Sequence, residues 1–199
     1  MSITLEKGQK INLNKKSDRL GEISVNLNWN SENVHQGFFS RLFGSKGIDL
    51  DLGCLYELKN GNKGVVQALG NCFGSLKQAP YVSLDGDDRS GDSAEGETLR
   101  INGDEISKIK RILVFTYIYE GVPNWKETNG VVTIKYPHAE DVIIRMDAYD
   151  KKLTMCALAM FENVGDETFS VQKLVNFYPS HRELDKAFNW NLSWVVGRK

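Results

Sequence analysis

Cysteine is scarce in this chain of 199 residues, and the three present, Cys54, Cys72 and Cys156, are odd in number and far apart. That excludes a disulfide framework and any Cys-x-x-Cys metal or redox motif, so the thiols read as small buried hydrophobes. Neither sign of charge is in surplus. The 25 basic and 26 acidic residues leave a net charge of −1, which argues against a nucleic-acid partner, whose footprint is a basic excess or stripe. Long hydrophobic runs are missing as well: no stretch reaches the roughly 20 residues of a membrane-spanning helix. The opening Met1-Ser2-Ile3-Thr4-Leu5-Glu6-Lys7 has no apolar signal segment. The expectation is a soluble, cytoplasmic protein with no direct membrane insertion.

Motifs of common enzyme chemistries are absent too. The three histidines, His35, His138 and His181, are not spaced to share a metal, and neither a Gly-x-x-x-x-Gly-Lys phosphate loop nor a Gly-x-Gly-x-x-Gly fingerprint occurs. Gly91-Asp92-Ser93-Ala94-Glu95 approaches a nucleophile elbow but lacks its final glycine.

What the chain does have is acid, concentrated in one place. Between Asp85 and Glu97, six of thirteen residues are carboxylates (Asp85, Asp87, Asp88, Asp92, Glu95, Glu97) and three are glycine, with Arg89 the only counter-charge. Hard cations such as Ca²⁺ take six to eight oxygen ligands, and glycines let a short loop turn its carbonyls inward. The bland reading is a solvated acidic loop. Upstream, Ile48-Asp49-Leu50-Asp51-Leu52 alternates apolar and acidic residues, which in a strand puts Asp49 and Asp51 on one face, roughly 7 Å apart. The loop does not follow the EF-hand pattern, because Arg89 and Ser90 stand where that motif needs an acid or amide and a glycine. If calcium binds, it binds on a β scaffold.

Period two dominates elsewhere. Ile23, Val25, Leu27 and Trp29 alternate with polar residues, and Arg111 to Tyr119 is apolar almost throughout, as in a central strand covered on both sides. Further strands are expected at 64–69, 98–102, 131–136, 141–146, 152–161, 168–176 and 192–196. About ten short strands describe an all-β sandwich or barrel, with residues 1–199 as a single domain. One helix is signalled by Ser180-His181-Arg182-Glu183, a capping box followed by the apolar face Leu184, Ala187 and Phe188. His181 is then a first-turn residue rather than a base. A second short helix is possible within 34–43, where Phe38, Phe39, Leu42 and Phe43 either dock inward or form a partner surface. Trp125 reads as a lid on the core.

Several of these segments together resemble one family. Leu5-Glu6-Lys7-Gly8-Gln9, Leu27-Asn28-Trp29-Asn30, Ile48-Asp49-Leu50-Asp51 and Gly86-Asp87-Asp88-Arg89-Ser90-Gly91-Asp92 closing on Glu97 follow the order and approximate spacing of the TerD family of tellurite-resistance and stress-response proteins. Tyr119-Glu120-Gly121-Val122-Pro123-Asn124-Trp125 and Leu184-Asp185-Lys186-Ala187-Phe188-Asn189-Trp190 resemble its TerA branch most. The resemblance implies a two-sheet β-sandwich with Ca²⁺ held by the acidic loop (Asp87, Asp88, Asp92, Glu97) and the strand pair Asp49 and Asp51. It implies no known enzymatic activity. It also implies cytoplasmic proteins acting with other Ter-type stress proteins at or near the membrane, so that a membrane-embedded component and a peripheral location at the inner face enter as expectations. Ser93-Ala94-Glu95-Gly96 is shorter and less acidic than the family loop, and Asn30 replaces an aspartate; both lower the ligand charge, and one ion or two remain open. The rival reading is a cysteine-dependent enzyme or sensor acting on tellurium oxyanions, which requires two thiols close together.

Overall fold

Alternating apolar and polar residues become strand along most of the chain. The computed structural model describes residues 2–14, 19–29, 49–85, 96–120, 125–148, 150 and 152–195. Among these, the strands in chain order are β1 (Ser2–Thr4), β2 (Lys10–Asn12), β3 (Glu22–Asn28), β4 (Asp49–Leu58), β5 (Lys63–Gln67), β6 (Gly74–Ser75), β7 (Val82–Asp85), β8 (Glu97–Asn102), β9 (Ile109–Glu120), β10 (Val131–Lys135), β11 (Asp141–Arg145), β12 (Met155–Val164) and β13 (Thr168–Tyr178). They form two sheets, ordered β1-β11-β10-β3-β8-β7-β6 and β2-β13-β12-β9-β4-β5. Only β1 with β11 is parallel; every other pairing is antiparallel. The chain is therefore an all-β, two-sheet sandwich. It has more strands than the ten or so expected, because β1, β2 and β6 are two or three residues long and too short to carry a period.

The strand faces follow from the side chains. In β3, Ile23, Val25 and Leu27 are buried between the sheets while Ser24 and Asn26 face outward. β9 lies between β12 and β4 and is covered on both sides, which explains its continuous apolar run. Ile112, Val114 and Ile118 join the core between the sheets. Leu113, Phe115 and Tyr117 face the other way, into a second cluster completed by Leu184 and Trp190.

That second cluster is roofed by the C-terminal segment. After a 3-10 turn at Gly103–Lys108 and a short helix α1 (Trp125–Thr128), whose Trp125 is buried with its indole N–H donated to the Leu153 carbonyl at 2.7 Å, the last helix among the described residues is α2 (His181–Ala187). Ser180 caps α2, its hydroxyl accepting from the Glu183 amide at 3.4 Å. Two expectations fail here. Ala187 is exposed, and the buried position on that turn belongs to Asp185. Residues 192–195 form no strand, because Asp185 takes over the job a neighbouring strand would do. Its carboxylate accepts from the Asn191 and Leu192 amides at 2.7 and 2.9 Å and from the Trp194 indole at 3.0 Å. Arg111 holds the same segment, stacking 3.8 Å from the Trp190 ring and donating to the Phe188 carbonyl. The expected helix within 34–43 lies outside the described residues.

Gly96 fixes where the acidic segment re-enters the sheet. Its φ of +64° is left-handed, and a Cβ there would strike the backbone carbonyl of Leu27. Gly165 has a similar φ of +62° but opens onto free space. Gly165→Ala should therefore cost about 1 kcal/mol for the backbone alone, whereas Gly96→Ala adds a rigid clash and should lose at least ~3 kcal/mol. Chemical denaturation of the two variants side by side checks the difference.

Candidate functional site

β5 pairs with β4 only from Gly53 onward, which leaves the start of β4 as an edge. Glu97, the first residue of β8 in the opposite sheet, fills the gap: its Oε2 accepts the Leu52 backbone N–H at 2.5 Å. The carboxylate is 1% exposed, and on the adjoining positions of β4 Asp51 is 0% and Asp49 9% exposed. Three acidic side chains are thus buried at one corner where the two sheets meet. Burying anions is costly unless positive charge or hydrogen bonds compensate them, and each of these three acids has a polar or electrostatic partner.

Tyr117 sits opposite Asp51 in the β4–β9 register. Burial pushes its phenol up, and the charges of Asp51 and then Glu97 push it further. One hydroxyl therefore feels both acids. The Thr116 hydroxyl, across the ladder from Leu52, is buried and has no hydrogen-bond partner among the described residues. Carboxylates and hydroxyl oxygens are hard donors, which fits Ca²⁺ and not a thiophilic metal. Among the described residues, no group of three or more His, Cys, Asp or Glu side chains is placed so that it could hold a metal ion.

Of the residues expected at the site, Asp49 and Asp51 are buried on β4 and Glu97 is buried at the start of β8, beside the Leu52 amide. Asp85 ends β7 on the outer face of its sheet, ion-paired with Arg100, which also holds Glu22. Asp87, Asp88, Asp92 and Glu95 lie outside the described residues, between Asp85 and Glu97. Sequence reading missed Tyr117 and the Leu52 amide. Tyr117 carries a faint signal, since it alternates with Phe115 on one face of β9, but its pairing with Asp51 depends on a register that no local pattern reveals.

On its far side Tyr117 packs against His181, with ring centroids 5.0 Å apart; Phe115 at 5.5 Å and Trp194 at 5.0 Å complete the enclosure. The His181 Nε2 pairs with Gln67 Oε1 at 2.9 Å. Burial pulls this imidazole down from 6.5 to about 4, as desolvation disfavours its charged form. It is a first-turn residue, as expected, and stays neutral in the folded chain near pH 7. Of the thiols, Cys54 and Cys156 are buried as expected, while Cys72 is exposed, because it lies on the turn after β5 rather than within a strand. Burial pushes the Cys54 thiol up to about 12 and raises Cys156 further.

Comparison with known proteins gives the following. The TerD domain model matches residues 1–159. The tellurium resistance protein TerA of an Alcaligenes species is 42% identical over 200 residues, covering 100% of this chain and 58% of the relative. The stress response protein SCP2 of Bacillus subtilis (strain 168) is 35% identical over 125 residues, 61% of this chain and 63% of that protein. The chain thus spans less than two thirds of the length of either relative. A crystal structure of a homologue of the telluride resistance protein TerD from Streptomyces coelicolor A3(2) has the same fold, with a TM-score of 0.55 at 18% identity over 83% of this chain and 95% of that one. No helix among the described residues is long and apolar enough to cross a membrane.

The depressed His181 pKa has a consequence for stability. Above pH 6.5 both folded and unfolded chains carry a neutral imidazole; between 6.5 and about 4 only the unfolded chain binds the proton, so stability falls as pH falls through that window. The full effect is ~3 kcal/mol. His181→Phe removes this linkage, so its stability relative to the parent should rise by up to that amount between pH 7 and pH 4, read from urea midpoints at each pH.

Proposed function

The chain belongs to the TerD family, and on that premise we propose that it is a calcium-binding, non-catalytic β-sandwich module of a tellurite-resistance and stress-response assembly. The observation that carries this reading is the burial of Asp49 and Asp51 on β4 and of Glu97 at the start of β8, with the acid-rich segment 86–95 departing from β7 and returning at Glu97. In this reading these three carboxylates hold the ion from the scaffold, and Asp87, Asp88, Asp92 and Glu95 supply oxygens from the segment between. Asp85 contributes charge from the rim while bound to Arg100. The chemistry calcium supplies is electrostatic: it neutralises carboxylates that would otherwise repel each other, and its tolerance of irregular geometry suits a loop better than the strict octahedron of Mg²⁺.

A non-catalytic role is supported by the thiols. Cys54 and Cys156 are enclosed and held protonated, which withholds them from nucleophilic chemistry. A cytoplasmic location, peripheral at the inner face of the membrane, and action alongside other Ter-type proteins, a membrane-embedded component among them, belong to the same proposal.

Calorimetric titration tests it. Ca²⁺ should bind chelator-treated protein with Mg²⁺ much weaker, and at about 100 times the dissociation constant it should add roughly 2.7 kcal/mol of stability. Asp51→Asn and Glu97→Gln should remove most of that gain. Asp104→Asn should keep it, because Asp104 serves elsewhere, accepting from the Gly21 amide at 3.0 Å. A melting temperature indifferent to millimolar Ca²⁺ would sink the proposal.

A further inference from the structure

Between the turn that follows β5 and the start of α2 lies a cleft of about 670 Å³, walled by Val65, Leu69, His181 and Trp194 and edged by Cys72 and Arg182. Its volume falls within the range of small-molecule sites, and its surface is mainly apolar with a few polar groups at defined points, which is how such sites are built. It is separate from the carboxylate corner, whose Asp49, Asp51 and Glu97 do not line it.

Its walls are fixed in advance. The turn is closed by reciprocal hydrogen bonds between Gln67 and Cys72 at 2.9 and 3.1 Å. The Gln67 side chain then spans the floor, donating from Nε2 to the Leu69 carbonyl at 3.2 Å and pairing through Oε1 with His181. Trp194 is tied by its indole N–H to the buried Asp185. A ligand that enters such a cleft pays little to organise it.

The chemistry of the lining narrows the ligand. Trp194 and His181, packed on each other with centroids 5.0 Å apart, form one aromatic wall beside Val65 and Leu69, against which an aromatic apolar body can lie. Arg182 is the only charged residue lining the cleft among the described residues. It spends one Nη2 donor on the Trp194 carbonyl at 3.2 Å and keeps others of its fork for an anion. His181 stays neutral in this position. We infer that this cleft is a binding site for a small aromatic apolar molecule bearing a single negative charge, with Arg182 as its anion contact and Trp194 and His181 as its aromatic wall.

The probe is 8-anilinonaphthalene-1-sulfonate, an aromatic monoanion, with the uncharged N-phenyl-1-naphthylamine beside it. Cys72 is the reporter, since it is the exposed thiol at the cleft while Cys54 and Cys156 are buried. On the folded full-length chain the sulfonate should bind one to one, quench tryptophan emission and slow alkylation of Cys72 by N-ethylmaleimide. Arg182→Gln should weaken the sulfonate roughly tenfold, the size of one charge-assisted hydrogen bond, and leave the uncharged probe unchanged. Ser193→Trp, filling the rim, should weaken both. Sulfonate that binds without protecting Cys72 in the parent chain, or that is equally tight with Arg182→Gln at unchanged melting temperature, overturns the inference. So does absence of binding to the folded chain.

Discussion

One buried hydrogen bond sets the geometry of the functional end of the sandwich. The Glu97 carboxylate crosses from one sheet to the edge of the other and accepts the Leu52 amide where β5 no longer covers β4. A backbone amide left unmatched in the interior costs about 1–3 kcal/mol, so the sheets cannot part at this corner without exposing both groups. The same bond draws an anion inside, next to Asp51. Everything else at the corner answers to that charge: the raised Tyr117 phenol, the hard oxygen donors, and the left-handed Gly96 that lets the chain turn directly into Glu97.

Two layers of packing let the scaffold carry this buried charge. The core between the sheets holds Leu50 and Leu52 on the same strand as the aspartates, so β4 is anchored by its apolar face whatever its acidic face does. The second cluster, on the outside of the other sheet, is closed by α2 and the segment to Trp194. That closure rests on polar bonds from buried side chains, Asp185 to three donors and Arg111 to the Phe188 carbonyl and the Trp190 ring. Apolar burial gives the affinity of the layers and these bonds give the register, since dispersion alone is indifferent to a shift of one residue.

The sequence made the sandwich readable because strand faces are written in adjacent residues. Ile23, Val25 and Leu27 declare their side of β3, and the unbroken run in β9 declares two covered faces. Asp49 and Asp51 were legible for the same reason, being two residues apart on a strand. Glu97 was legible as an acid but not as a bridge, since its partner is 45 positions away and is a backbone amide. The end of the chain was misread for a physical reason: Leu192 to Val196 has a strand-like composition, yet in the described part Asp185 accepts the Leu192 amide and the Trp194 indole and holds residues 192–195 without a neighbouring strand. Cys72 was misread because exposure on a turn leaves no mark in composition.

The corner and the cleft are joined by a row of rings, Tyr117 against His181 and His181 against Trp194. Contiguity of this kind does not itself transmit a signal; that takes an element with two discrete arrangements. Here each ring past Tyr117 is pinned from the side, His181 by Gln67 and Trp194 by Asp185, so the row has one arrangement. What remains is electrostatics. The acids at the corner set up a negative potential that reaches into the poorly screened interior, and a cation bound there cancels it. In the proposed reading, filling the corner with calcium therefore favours an anion in the cleft without moving a wall, and by linkage the anion favours calcium to the same degree.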